Sequence, residues 1–593
     1  MNWLRAMSGG RFGRAAPVVD EPFDVPPVIS TLDGAVRFDG VHKARLQAGR
    51  IRIAALLSSF AMGFLALGVR AADVALFSAD RITLHKTTQA TPVRRADIVD
   101  RNGELLAATL ATYSLYVDPS DVWDPVETRE ALLTVFPDMD PKKIDKALTA
   151  KSHFQWLRRN LTPKQKQAVF ALGQPGLDFM VEESRIYPRG HLAAHTLGYV
   201  GQDNVGQAGA ELAFDRDILR DGGLGRPIEL SLDMRVQFAL DDELRRAMEK
   251  HQAKGAIGIV SDVTTGEILG MVSLPDYDPN THQRWGADNL MNRTATAVYE
   301  MGSTFKIFTV AMGLDEGIVT LDSTYDASRP LNIGGRVIHD YHAENRTLTV
   351  QEIFTHSSNI GSARLAMDAG VNTTRDFMKR MGFFRPAPIE LAESARPILP
   401  VKWDESTVAS VSFGHAMSVS PLSLVAAVGG LMNGGRYVPL TLKKRDPGDT
   451  IKSERIVSAA TSEALLQLMR ANVTNGTGTK AEVPGYRVGG KTGTAEKTGV
   501  GGYDRSRLLS SFVAVFPTDK PRYLVTIIID EPKASPDTYG FATGGWTAAP
   551  AVGRVIARIG PILGVERRFD IPLPAPVHPV DATAKVAAMG NER

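Results

Sequence analysis

One uninterrupted apolar stretch constrains this chain more than any other feature. Residues Ile53 to Val69, IAALLSSFAMGFLALGV, hold no charged side chain, and Arg50, Arg52 and Arg70 bracket them. A bilayer core takes roughly 17–25 apolar residues of helix, so the stretch lies at the short end, with Arg70 able to snorkel outward. A helix that is apolar on every side has no face to offer water, which argues against a buried core helix. The roughly 50 mostly polar residues before it are too many for a cleaved signal peptide. Arg37, Lys43, Arg45, Arg50 and Arg52 crowd the N-terminal flank, whereas Arg70, Asp73, Asp80 and Arg81 balance on the other. The positive-inside rule then predicts a cytoplasmic tail over 1–50, one span over 51–72 and a working part outside the cell membrane. Ser59 and Gly63 form a small-xxx-small pair that could seat a partner helix, although an Ala/Gly-rich span holds such pairs by chance.

Composition narrows the chemistry. With no cysteine in 593 residues, disulfides, a thiol nucleophile and Cys-ligated metal sites are excluded. Lys and Arg total 68 against 66 acidic residues, so no net basic field argues for nucleic acid. Gly9, Gly10, Gly13, Pro17, Pro22, Pro26 and Pro27 make the N-terminal tail read as mostly disordered. From 73 to 225 short strands and helices mix: Tyr113 to Val117 alternates like a strand, and Asp140 caps a helix that starts at Pro141. Gly222-Gly-Leu-Gly225 marks a boundary.

The pattern sharpens over 226–568. Asp233 caps a helix running to about His251. Ala256–Val260 and Glu267–Val272 flank the turn Thr264-Thr-Gly266, and Ser511–Phe516 and Arg522–Ile529 flank Pro517–Pro521. These are two hairpins, and a last helix spans about Ala548 to Ile559. Strands at both ends with helical patterns between predict an α+β domain whose antiparallel sheet is closed from both termini. Pro572, Pro574, Pro576 and Pro579 make 569–593 a tail.

Ser303-Thr-Phe-Lys306 is the chain's single S-x-x-K and opens an apolar helical run. Spacing of three puts hydroxyl and amine on one helix face. The amine can take the serine proton only if burial or a second cation lowers its pKa. Lys491-Thr-Gly-Thr494 supplies such a cation on a small, extended stretch suited to an edge strand. Thr492 and Thr494 offer hydroxyls to a carboxylate, and Gly493 leaves room for a backbone-like substrate. Ser357-Ser-Asn359, after the helical stretch Val350–His356, adds a relay hydroxyl and an amide.

Other readings compete. Gly485 to Thr492 formally satisfies the P-loop pattern G-x-x-x-x-G-K-[ST], and Leu524 to Glu531 resembles an acidic magnesium strand. A P-loop needs a strand before it and a helix after it. Here Ala-Glu-Val-Pro precedes, and Gly493, Gly499, Gly501 and Gly502 forbid the helix. Lys497-Thr-Gly499 repeats the triplet but lies in a Gly-rich stretch that reads as a loop, so Lys491 is preferred. His191 and His195, four apart, lack the H-E-x-x-H pattern and any carboxylate motif, so no metal is expected.

Ser-x-x-Lys, Ser-x-Asn and Lys-Thr-Gly, in this order, resemble the penicilloyl-serine transferases. Arg95–Gly103, Arg185-Ile-Tyr-Pro188, Gly206–Glu211 and Leu274–Asn280 widen the likeness to the class B, monofunctional penicillin-binding proteins, and within them to the division-type (FtsI-like) branch. Met301 stands where that family usually has Pro, and His415 stands in Gly414-His-Ala-Met417 where an aromatic glycine motif is common.

The resemblance implies an elongated mixed pedestal over 73–225 and a transpeptidase domain over 226–568, with a five-stranded antiparallel sheet flanked by helices. It implies that Ser303 attacks the D-Ala–D-Ala carbonyl of a peptidoglycan stem peptide with Lys306 as base. Ser357 and Lys491 protonate the leaving group, Asn359 holds the substrate amide, and Thr492 and Thr494 hold its carboxylate beside Gly493. The N–H groups of Ser303 and Thr494 hold the oxyanion. No cofactor or metal is implied. β-Lactams are the expected inhibitors, and a SEDS-family (FtsW-like) glycan polymerase and other division membrane proteins are the expected partners, at the inner membrane and septum. An elongation-type transpeptidase, a D,D-carboxypeptidase and a non-enzymatic divisome scaffold are the alternatives. A class A β-lactamase would need a deacylating Glu and usually Ser-Asp-Asn, and a bifunctional glycosyltransferase would need a general-acid motif that 70–225 does not show.

Overall fold

The computed structural model describes residues 29–30, 37–38, 53–68, 94–201, 203–499 and 502–569. The chain divides into two units, Met1–Pro92 and Val93–Arg593. In the first, Ile29–Ser30 pairs antiparallel with Arg37–Phe38, and residues 53–68 are helical with their apolar side chains exposed. The rest of the expected tail and the ends of the expected span, 51–52 and 69–72, lie outside the described residues. Among the described residues no helix is long and apolar enough to cross a membrane. The expected C-terminal tail is described only at Phe569.

In the second unit the N-terminal part is built on the strand Leu105–Val117, which extends well before the expected Tyr113. It pairs antiparallel with Leu177–Ile186 along most of its length and with Gln155–Leu161 at its end. Helices Pro125–Val135, Pro141–Leu148 and Pro163–Phe170 each start at a proline behind an Asp or Thr cap, and they cover a small core of Leu115, Val117, Leu132, Phe136, Ile144 and Leu161.

Polar residues tie this part together and join it to the next. Arg95, Arg185 and Glu211, all within the motifs singled out above, meet in one buried cluster. Glu211 accepts from Arg95 at 2.7 Å and from Arg185 at 2.6 Å, and Arg95 also reaches Asp215 at 2.6 Å. Asn280 bonds both backbone groups of Tyr187, at 3.0 and 2.9 Å. Asp100 accepts from the backbone N–H of Met234, at the start of the helix Met234–Lys250.

The C-terminal part is a five-stranded antiparallel sheet in the order Gly489–Gly499, Gly502–Phe516, Tyr523–Asp530, Gly255–Asp262, Ile268–Leu274. Strands from both ends of the domain meet where Tyr523–Asp530 pairs with Gly255–Asp262. Both faces are covered, so the strands read as nearly continuous apolar runs. Val525, Ile527 and Ile529 face helices Met234–Lys250 and Ala548–Ile562, whereas Leu524 and Ile528 face the helical core around Phe305, Phe308 and Leu465. The strand Gly489–Gly499 is left at the edge of the sheet.

Candidate active site

The site lies where that edge strand meets two helix starts. Gly302–Phe305 forms a 3-10 turn that passes directly into the α-helix Lys306–Asp315. Gly302 has φ +55, and a Cβ on it would come within 2.4 Å of the Thr494 carbonyl oxygen. Only glycine can take this cusp while lying so close to the strand. Gly493 is equally constrained, because its Cβ would fall 2.2 Å from Ser511 Oγ and 2.9 Å from Met301 O. The room expected beside Gly493 for a backbone-like substrate is instead filled by the nucleophile turn and Ser511, which brings strand and turn into contact.

Lys306 is fully buried, and its Nζ donates to Ser303 Oγ at 2.7 Å, Asn359 Oδ1 at 2.7 Å and Ser357 Oγ at 3.2 Å. Burial pushes its pKa down to about 7, and the charge of Asp340 works against the shift. Lys491, also fully buried, donates to the same Ser357 Oγ at 3.0 Å. Burial, and then the neighbouring Lys306, holds its amine well below the usual range. Ser357 thus bridges the two amines. It sits at φ +61, as the C-cap of the helix Val350–His356, which a Thr349–Glu352 capping box starts.

Ser303, Lys306, Ser357, Asn359 and Lys491 are thereby joined in one hydrogen-bonded network. Asn359 uses Oδ1 on Lys306 and one Nδ2 hydrogen on the His339 carbonyl at 2.9 Å, leaving a second amide hydrogen for a ligand. Thr492 Oγ1 lies 2.7 Å from Thr477 Oγ1, and Thr494 Oγ1 accepts from Gly544 N–H at 3.1 Å.

Sequence reasoning missed Asp340, Thr477 and Gly544. Asp340 accepts from Ser358 Oγ at 2.7 Å and from the backbone N–H groups of Asn359 and Ile360, so it ties down the start of the helix Asn359–Ala369. Thr477 is held in turn by Asn472, which also donates to the Gly490 carbonyl at 2.7 Å. None of the three belongs to a periodic pattern, so only folding identifies them.

Two further expectations need correction. Lys497-Thr-Gly499 is on the strand rather than in a loop: the strand continues past a register shift between Glu496 and Lys497, sustained by its ladder to Gly502–Phe516. Lys497 faces away from the network and pairs with Asp530 and Glu531, both at 2.8 Å. His191 does have carboxylate company, in Asp241 and Asp276. Arg245 is bonded to all three side chains, so the cluster is an ion-pair knot with a guanidinium at its centre. His195 is separate, buried and bonded to the Asn289 carbonyl at 2.8 Å, and burial lowers its pKa to about 4. The P-loop reading fails on backbone alone, since a strand occupies the position where a phosphate-binding helix would have to start.

Comparison with known proteins follows the same division of the chain. Residues 256–556 match the penicillin binding protein transpeptidase domain, and residues 90–218 match the penicillin-binding protein dimerisation domain. The chain is 49% identical over 532 residues to the probable peptidoglycan D,D-transpeptidase FtsI of Caulobacter vibrioides, covering 88% of this chain and 90% of that protein. It is 32% identical to the probable peptidoglycan D,D-transpeptidase PenA of Neisseria gonorrhoeae, covering 81% and 86%, and 29% identical to the peptidoglycan D,D-transpeptidase FtsI of Escherichia coli K12, covering 81% and 85%. Penicillin binding protein 3 of Mycobacterium tuberculosis, in its crystal structure with aztreonam, shares the fold with a TM-score of 0.63 at 23% identity, over 81% of this chain and 99% of that one.

Proposed function

Because the chain belongs to the class B penicillin-binding proteins, we propose that it is an FtsI-like peptidoglycan D,D-transpeptidase that cross-links stem peptides for septal wall synthesis through an acyl-enzyme on Ser303. The observation that carries this reading is the 2.7 Å bond from a fully buried Lys306, with a pKa of about 7, to Ser303 Oγ. A neutral amine at that distance can accept the serine proton, which an ordinary exposed lysine cannot do near neutrality.

The donor stem lies along the edge strand Gly489–Gly499 as an added strand. Ser303 Oγ bonds to the penultimate D-Ala carbonyl carbon while its proton passes to Lys306. The oxyanion rests on the N–H groups of Ser303 and Thr494, each such donor being worth roughly 3–4 kcal/mol in the transition state. As the C–N bond to the terminal D-Ala breaks, the leaving amine takes a proton through Ser357, which both lysines address. An amine of a neighbouring stem then attacks the acyl carbon, the ester bond to Ser303 breaks and the cross-link remains. Asn359 binds the donor amide with its spare hydrogen, and Thr492 and Thr494 bind the terminal carboxylate near Lys491.

The apolar residues 53–69 anchor the protein in the inner membrane with residues 1–50 in the cytoplasm and the catalytic domain in the periplasm; the bracketing arginines support this orientation. The same span is the natural contact for a SEDS-family glycan polymerase, whose product is the strand to be cross-linked.

Fluorescent penicillin should label the full-length protein covalently, and Ser303→Ala should abolish labelling with the melting temperature unchanged. Labelling that survives this change rules out the assignment. Depletion in cells should give filaments, whereas round or swollen cells would assign the protein to side-wall growth.

A further inference from the structure

The two N–H groups assigned to the oxyanion sit on different elements, Ser303 on the 3-10 turn and Thr494 on the edge strand, so something must fix the gap between them. Three backbones are stacked there. The Gly302 cusp lies against the Thr494 carbonyl on one side, and on the other it lies against Gly414, whose Cβ would be 2.1 Å from Gly302 O. Residues 299–302 and 414–419 run side by side, joined by Tyr299 and Val419 in both directions at 3.0 Å and by Gly302 N–H to the Gly414 carbonyl at 3.2 Å.

Between those two rungs stands Glu300. Its Oε1 accepts from the backbone N–H of Ala416 at 2.7 Å and from Tyr503 O–H at 3.1 Å. Its Oε2 faces His415 Nδ1 at 3.4 Å. Ala416 holds φ +62, a left-handed conformation that a non-glycine residue adopts at a cost of roughly 1–2 kcal/mol, and this conformation aims its N–H at the carboxylate. Tyr503 belongs to the strand Gly502–Phe516, the partner of the strand that carries Thr494. One carboxylate therefore grips both the loop behind the cusp and the hairpin in front of it. The His415 ring, packed edge-on at 5.1 Å from Tyr503 and tilted at 5.2 Å from Phe413, closes the back of the cluster. Burial raises the pKa of Glu300, and burial with the nearby Lys306 lowers that of His415 to about 4.

We propose that Glu300 is a positioning residue for acylation, strapping together the turn of Ser303 and the hairpin of Thr494 so that the oxyanion gap is preset; the inference rests on the acyl-enzyme reading above. Glu300 touches no reacting atom in this scheme. Its effect belongs to the transition state, where the oxyanion forms, and not to the first encounter with a ligand.

The test is stopped-flow acylation of the full-length protein in detergent by a chromogenic cephalosporin, which separates the dissociation constant of the first complex from the acylation rate constant. Tyr503→Phe, a change at a half-exposed side chain, should slow acylation about tenfold and leave the dissociation constant within twofold, as expected for a small displacement of reacting groups. Glu300→Ala should slow acylation at least as much, Glu300→Gln should recover most of that loss because it keeps an acceptor for Ala416 and Tyr503, and Glu300→Ala with Tyr503→Phe should be no slower than Glu300→Ala alone. Unchanged acylation in Tyr503→Phe overturns the proposal. So does a loss shared equally by binding, acylation and melting temperature, which would mark the cluster as structural. Failure of the wild-type protein to acylate would instead remove the acyl-enzyme reading itself.

Discussion

Lys306 Nζ and Ser303 Oγ are 2.7 Å apart across the junction between a 3-10 turn and an α-helix, with the lysine wholly shielded from solvent. The tighter 3-10 turn sets the serine at its own height beside the helix start, and the amine bends back to it. Because burial brings Lys306 to about pH 7, the base is neutral above that pH and protonated below it. The acylation rate constant should therefore rise through pH 7 to a plateau, falling about tenfold per unit on the acid side. A pH series of penicillin acylation checks this, and a limb centred near pH 10 would show Lys306 to behave as an ordinary amine.

Asp340 should shift that limb. Its charge favours the ammonium form of Lys306, so Asp340→Asn should move the acid limb to lower pH. The same change weakens the anchoring of Ser358, Asn359 and Ile360, so the plateau should fall as well. Asparagine keeps one carbonyl acceptor for those N–H groups, so the cost in stability should be about 1 kcal/mol or less. Measuring limb and plateau in one series separates charge from position: a lower plateau with an unmoved limb would leave Asp340 only its anchoring role.

Glycine at 302 is a steric requirement. Gly302→Ala would combine φ +55 with a Cβ 2.4 Å from the Thr494 carbonyl oxygen, so the backbone must part at the oxyanion gap. Acylation should drop by a factor on the order of a hundred or more. The covalent labelling rate measures it, alongside a melting curve to show that the protein remains folded.

What the sequence disclosed was local. The hairpins around Thr264-Thr-Gly266 and Pro517–Pro521 were legible because strand alternation and turn residues are short-range signals, and so were the caps Asp140 and Asp233. The three catalytic triplets were legible as spacings, although their convergence through Ser357 was not. Asp340 and Glu300 were hidden because each acts on groups far along the chain, Glu300 on Tyr503 203 residues away. The Asp241–Asp276–His191 knot was hidden for the same reason, and the strand at Lys497 because its glycines mask a pairing that only the neighbouring strand reveals.

The Arg95–Glu211–Arg185 cluster holds the N-terminal part together with no exposure of any of the three side chains. Glu211→Ala would leave two guanidinium groups buried without their shared carboxylate, a loss of roughly 3–5 kcal/mol. The protein should unfold at a clearly lower temperature, with new protease cleavage within 94–226. Cleavage and melting unchanged from wild type would mean that water replaces the carboxylate.

Two Lys-Thr-Gly triplets share one strand, and their lysines make opposite predictions. Lys491 points into the network, where it is one of two donors to Ser357. Lys491→Ala should abolish penicillin labelling, since it removes the amine at the carboxylate end and half of the support for the relay hydroxyl. Lys497 lies beyond the register shift, and of its two carboxylate partners Glu531 is also held by Arg507 at 2.9 Å. Removing Lys497 takes the 2.8 Å cation from the buried Asp530, so Lys497→Ala should lower the melting temperature while labelling continues at the wild-type rate. The opposite pattern would move the active site to the far end of the strand, where the hydrogen bonds of Lys497 go to Asp530 and Glu531 and those of Lys306 go to Ser303, Ser357 and Asn359. With Ser303 Oγ already bonded to Lys306, and Lys306 and Lys491 both bonded to Ser357, the first triplet is the one the chemistry can use.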